Sequence, residues 1–239
     1  GYVNFPIVED QLFGKISVAS INRDGYGERL TDGMKLGEQD RLITRGMLRW
    51  VPDDKTDITL AGDMTRQRET GAVGTLLGVV PATAIVDPVS GLTLIDLYNA
   101  VVVPAIAPGL NLPANTQFDS RWITGSGYKS NGTAPARNDL DIWGVSLTID
   151  RELSEKVSLK SITAYRDLEA KFSRDGDHTP LPIVHTNNDD TQHQFSQELQ
   201  LSGLGLNDRL NWLIGGYFWD EFARDSNDVK LVSGTFPVL

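Results

Sequence analysis

The stretch Trp143-Gly144-Val145-Ser146-Leu147-Thr148-Ile149 decides how the chain is read, because its large apolar residues fall on every second position. Successive side chains of a β-strand point to opposite faces, so Trp143, Val145, Leu147 and Ile149 share one face while Gly144, Ser146 and Thr148 share the other. The same period of two recurs downstream, where Val157 and Leu159 oppose Ser158 and Lys160, and Leu199 and Leu201 oppose Glu198, Gln200 and Ser202. Upstream, Leu42, Leu48 and Trp50 share one parity, and Arg41, Arg45 and Arg49 the other. Ile58, Leu60 and Met64 likewise oppose Asp57, Thr59 and Asp63.

The pattern predicts seven strands, over 11–23, 39–51, 56–67, 138–150, 157–169, 191–203 and 209–222. Each runs for about 11–14 residues, where strands of soluble proteins most often have about 5–6 and a tilted membrane-spanning strand needs about 9–11. The connections alternate in length. Short links at 52–55, 153–156 and 204–208 separate long ones at 24–38, 68–137 and 170–190. Short turns at one end and long loops at the other are the asymmetry of an outer-membrane barrel, and a Greek-key sandwich has no reason to produce it. The expected fold is therefore all-β: an antiparallel up-and-down transmembrane β-barrel, here an incomplete wall of about seven strands with long extracellular loops.

Aromatic residues fit that wall. Trp50 and Trp212 fall near the short-turn ends on the apolar parity, and Trp143, Tyr165 and Phe218 fall toward the other ends. Rings at two levels match the belts that flank a bilayer, although aromatics filling a core would account for them too. In the last strand, Leu213, Tyr217 and Trp219 sit on the polar parity, as in a barrel whose interior is plugged by protein.

Composition narrows the remaining classes. The chain has 239 residues, 40% of them hydrophobic, which is enough for a globular core. A net charge of -10 argues against binding a phosphate backbone, and the absence of cysteine removes disulfides and thiolate metal sites. No signal peptide is read at Gly1. The most apolar stretch, 91–108, is broken by Asp96, Asn99 and Pro104 and is too short for a membrane helix. Thr93 and Asp96 have the spacing to cap a short helix there.

The segment Ser161-Ile162-Thr163-Ala164-Tyr165-Arg166, followed by Gln194-Phe195-Ser196-Gln197-Glu198-Leu199-Gln200-Leu201-Ser202, resembles TonB-dependent outer-membrane receptors. Arg209-Leu210-Asn211-Trp212-Leu213-Ile214-Gly215-Gly216-Tyr217-Phe218 is similar to further strands of that family. Near the start, 4–15 with 22–27 resembles an early barrel hairpin. The resemblance implies an N-terminal plug inside a barrel of about 22 strands. It also implies ligand capture by the outer loops and energy supplied through TonB. No plug, TonB-box-like leader or closing strand is read here, and seven strands fall short of the about eight that close the smallest membrane barrels. A partial chain is therefore expected, with 1–239 forming part of the barrel domain.

Two groups of residues are candidates for function. Arg41, Arg45, Arg49, Lys160, Arg166 and Glu198, with Lys15 and Asp63, are inward-facing charges that could contact a plug or line a path; for any single one of them solvated or mutually paired charge is the simpler reading. The cations at 41, 45 and 49 form a column suited to acidic plug residues. Arg174, Asp175, Asp177, His178 and His185 form the densest set of potential ligand contacts, placed in the 170–190 loop. Asp175 and Asp177 could accept calcium and a histidine could touch a metal-bearing substrate, but EF-hand spacing is absent and a solvated loop is the simpler reading. No metal site or cofactor is therefore assigned. Gly71-Ala72-Val73-Gly74-Thr75 lacks the lysine of a phosphate loop, and no nucleophile elbow or triad is present. An enzyme is not expected.

The resulting expectation is an outer-membrane receptor and transporter that takes up a scarce ligand, a ferric siderophore or another nutrient, with TonB-supplied energy. Its partners would be outer-membrane lipid, its own plug domain, the TonB complex, and a small-molecule or metal-chelate ligand, with no nucleic acid. A passive porin-like channel and a soluble all-β binding domain are the alternatives.

Overall fold

A computed structural model describes residues 1–79, 85–87 and 91–233. Its frame is one eight-stranded antiparallel sheet in which every strand pairs with its sequence neighbour. We number these wall strands β1 (Tyr2–Val8), β2 (Leu12–Arg23), β3 (Gln39–Asp53), β4 (Thr56–Glu69), β5 (Asn138–Ser154), β6 (Val157–Asp175), β7 (Val184–Gly205) and β8 (Leu210–Leu231). Tight links at 9–11, 54–55, 155–156 and 206–209 alternate with longer ones at 24–38, 70–137 and 176–183. The meander and its rhythm are those read from the sequence.

Two expectations are corrected. The wall has eight strands, not seven, because Tyr2–Val8 pairs with β2 from Tyr2↔Ser17 to Val8↔Leu12. Pro6 hides this strand: it cannot donate to a ladder, so it is tolerated only on an edge or at an irregularity, and the register shifts between Pro6 and Val8. The second correction concerns the 170–190 loop, which shrinks to 176–183 because β6 and β7 continue as a paired ribbon as far as Asp175↔His185. The Asn187-Asn188-Asp189-Asp190 run has poor intrinsic strand propensity, but it is zipped between neighbours on both sides, and pairing outweighs propensity. At 22 residues each, β7 and β8 span about 70 Å, far more than a bilayer core requires.

Register puts Trp50, Ile58 and Ile149 in one row, and Leu48, Leu60 and Leu147 in the next. These side chains are open: Trp50 is 47% exposed, Leu60 44%, Val145 42% and Leu199 50%. Among the described residues, Ala61 is the only buried hydrophobic side chain on a wall strand. The core lies instead in the long connections. Tyr98, Val102, Val103, Ala107 and Leu181 cluster there, with Ile106, Phe118 and Ile183 packed against them. Burying Val103 and Leu181 completely contributes about 1.5–3 kcal/mol each.

The helical part of this core follows from its sequence. Thr93 and Asp96 form a reciprocal capping box that starts Leu94–Leu97. A π turn follows at Tyr98–Val102, with the Val103 N–H reaching the Tyr98 carbonyl. Pro104 explains the widening, since it has no N–H and its ring crowds the preceding turn. Asn111, in the left-handed region at φ 55°, ends the run. No helix among the described residues is long and apolar enough to cross a membrane, a criterion that does not bear on strands.

Candidate functional site

The long connections pack into one cap at the end of the wall opposite the tight turns. Gly27–Arg29 pairs antiparallel with Lys35–Leu36 and parallel with Lys129–Ser130, which locks the first long link to the second. Arg29, only 7% exposed, completes the lock by donating to both Asp32 oxygens and to the Ala134 carbonyl. The guanidinium holds the Asp32 carboxyl below the usual carboxylate range. Asn99 both donates to and accepts from the Phe118 backbone, fixing the helical segment to the strand-free chain after it.

The third link joins the cap through two carboxylates. Asp175 Oδ2 accepts from the Thr133 and Ala134 N–H groups at 2.8 and 3.0 Å, and its Oδ1 accepts from His178 N at 2.7 Å. Asp177 Oδ1 accepts from Thr179 N and Oγ1, while its Oδ2 accepts from Ile183 N and Val184 N at 3.0 and 2.8 Å. Burial pushes the Asp177 carboxyl up, opposed by the hydrogen bonds from Thr179 and Val184 and assisted by the Asp175 charge. His185 Nε2 lies 3.5 Å from Asp175 Oδ2 and 3.8 Å from Asp177 Oδ2. Nearby, burial and then the Asp177 charge push the Tyr98 phenol up to about 12.

Between these links lies a cavity of about 440 Å³, lined among others by Arg29, Val73, Arg137, Phe172, Arg174 and His178. Its size suits a small organic ligand. Four consecutive β6 residues, Phe172 to Asp175, line it, so the cavity lies against the outer end of β6. Close backbone approach shapes it: a Cβ on Gly74 would collide with the His178 ring, and one on Gly132 would fall 2.5 Å from Asp175 Oδ2.

The structure therefore splits the second predicted group. Asp175, Asp177 and His185 converge, and Arg174 and His178 border the cavity. Arg174, Asp175 and His185 stand on strand ends and not in a loop, for the pairing reason given above. The first group stays spread along the polar face. Arg41 pairs with Glu69, Arg49 with Asp57, Lys160 with Asp150 and Arg166 with Asp63, while Glu198 accepts from Gln200. Only Arg45 of the arginine column has no acidic partner among the described residues. Arg49 and Lys160 border a second cavity of about 410 Å³ near the tight turns. Sequence reading missed Arg29, Asn99 and Phe172: Arg29 reaches Ala134 and Asn99 reaches Phe118 across the chain, Phe172 matters only through the cavity it lines, and the Asx spacing of Asp32 was the only local signal.

No protein-family model matches the sequence, and no curated protein matches it. Among solved structures, the ferric yersiniabactin uptake receptor FyuA from Yersinia pestis is similar in fold, with a TM-score of 0.61 at 15% identity over 96% of this chain. The chain spans 29% of that receptor's length. A chain of the FpvAI–pyocin S2 complex aligns at a TM-score of 0.49 and 12% identity, covering 97% of this chain and 28% of its own, and adds no weight. Eight consecutive antiparallel strands, an exposed apolar face and a packed cap thus give this chain a fold like that of a segment of FyuA.

Proposed function

We propose that the chain is part of an outer-membrane receptor that takes up a scarce ligand, a ferric siderophore or another nutrient, using energy supplied through TonB. Residues 1–239 form part of its barrel domain, and the plug and the remaining strands belong to the parent protein. The tight turns face the periplasm and the cap faces outward. The apolar rows meet lipid, with Trp143 and Tyr165 at 5.4 Å and Phe195 and Phe218 at 6.3 Å forming the outer aromatic belt. Trp212 and Phe218 are six positions apart on one face, about 20 Å along the strand and about 15 Å in height at a tilt of about 35–45°, which lies within an apolar band of about 25 Å.

One observation carries this reading: the buried core is in the cap while the apolar face of the wall is bare. A soluble sandwich would bury that face between sheets. An open pore needs no packed cap, and it would not place Leu213, Tyr217 and Trp219 on its inner wall, exposed by 65%, 63% and 52%. A plug covering them fits better. The role is transport, not catalysis, and the ligand is a small molecule or metal chelate held in the mouth cavity.

The test is uptake of ferric siderophores, and separately of iron-free nutrients, by cells making the full-length protein, with the proton gradient intact and collapsed. Accumulation that stops when the gradient is collapsed supports the reading. Accumulation that persists identifies a passive channel.

A further inference from the structure

We propose that Asp175, Asp177 and His185 bind one first-row divalent cation of the Zn²⁺ type, clamping the β6–β7 turn to the 130–134 segment. This inference stands apart from the transport reading and fails or holds independently of it.

The geometry is that of a coordination shell. One ligand atom from each residue lies within 4.8 Å of the other two. An ion about 2.0–2.2 Å from each donor holds neighbouring donors about 3.0–3.5 Å apart for octahedral or tetrahedral angles, and wider for opened ones. The two nitrogen–oxygen separations are 3.5 and 3.8 Å. They are too long for hydrogen bonds and suited to a shared ion. Among the described residues His185 Nε2 has no hydrogen-bond partner although the residue is only 8% exposed, and it faces both carboxylates. A buried imidazole nitrogen left in this way is costly unless something occupies the space before it.

Charge points the same way. The side chains of Asp175 and Asp177 are 14% and 4% exposed, and no Lys or Arg pairs with either among the described residues. One imidazolium would offset one of the two negative charges, whereas a divalent ion with neutral imidazole offsets both. The backbone donors at Thr133, Ala134, Ile183 and Val184 hold the two carboxylates in place, as hydrogen bonds to ligating carboxylates do around metals. Nitrogen among only three protein ligands favours zinc-like ions over calcium, which takes about 6–8 oxygens. Water completes the shell.

The site would act on the mouth. Asp175 holds Thr133 and Ala134, and Gly132, Ala134 and Asp175 all line the cavity. An ion joining both ends of the β6–β7 turn therefore sets the position of one cavity wall.

The experiment uses full-length protein in detergent, stripped with chelator and dialysed against Zn²⁺ or Co²⁺. The wild type is expected to hold one more ion per chain than His185→Gln, with affinity lowered on the order of 100-fold in that variant. His178→Gln, outside the cluster, should retain the ion. Co²⁺ bound to the wild type should add visible d–d absorption that His185→Gln lacks. Zn²⁺ should also slow hydrogen exchange across 175–185 in the wild type, a readout independent of whether any variant folds. Equal ion content in wild type and His185→Gln, or no slowing of exchange at 175–185, overturns the proposal. Ca²⁺ binding that His185→Gln leaves intact overturns it as well.

Discussion

Arg166 reaches Asp63 by lying across Gly144, with its Nη2 2.9 Å from each carboxylate oxygen. The three residues form one row across β4, β5 and β6, and the middle position has no side chain to obstruct the guanidinium. A Cβ on Gly144 would stand 3.1 Å from Arg166 Nε. Both charged groups are partly exposed, so the pair is worth no more than about 1 kcal/mol after screening. A double-mutant cycle with Asp63→Asn and Arg166→Gln, read by denaturant unfolding of the full-length protein, should give a coupling of that size. Gly144→Val should remove most of it by displacing the guanidinium; undiminished coupling in that background would refute the row geometry.

The cap core packs apart from the apolar face of the wall and is expected to open independently of it. Leu181 is completely buried against the helical segment, and its truncation leaves a void that the short 176–183 link cannot close. Leu181→Ala is expected to destabilise the cap by about 2–4 kcal/mol. The effect should appear as faster hydrogen exchange and proteolysis within 94–110, while the wall retains its protection. Exchange accelerated equally in β3–β6 would show that cap and wall unfold together.

How much of this was legible follows from where each signal lives. The β3–β6 wall was readable because alternation is local, and Trp143 to Ile149 carry it without help from other segments. The outer halves of β6 and β7 were not, since Asn187 and Asp189 become strand only through partners that register supplies. Tyr2–Val8 was concealed by Pro6. Asp175, Asp177 and His185 were recognisable as a dense polar group, but their convergence needs the Asp175↔His185 pairing. Arg29 gave no signal, because its third contact is the Ala134 carbonyl, far away in sequence.

Tyr98 gives the cap a pH limit on the alkaline side. Its hydroxyl is buried without a hydrogen-bond partner among the described residues, and burial pushes its pKa up to about 12 from an unfolded value near 10.0. The folded state thus favours the neutral phenol. That contribution is complete below pH of about 10 and is lost as pH rises through about 12. Hydrogen exchange in 94–110 should accelerate across that window in the wild type. Tyr98→Phe, which removes an unsatisfied hydroxyl and keeps the ring, should be at least as stable at neutral pH and should lack the alkaline step. A Tyr98→Phe protein that keeps the step would assign it to another group.

The assignment of faces makes the sharpest demand on the wall. Leu60 stands opposite Leu147 on the exposed apolar face, whereas Ser146 stands opposite Ala61 and Ala164 on the other. If the apolar rows meet lipid, Leu60→Arg places a charge near the bilayer midplane at a cost of about 2–4 kcal/mol. Ser146→Arg, on the neighbouring rung, turns the same charge toward the polar interior beside Arg166 and Asp63. Folded full-length protein in the outer membrane, measured by heat-modifiable mobility and protease resistance, should fall sharply for Leu60→Arg and much less for Ser146→Arg. The reverse order would mean that the two faces are exchanged. Equal tolerance would mean that neither face meets lipid, and the wall would have to find cover for Trp50, Leu60 and Leu199 in another layer of protein.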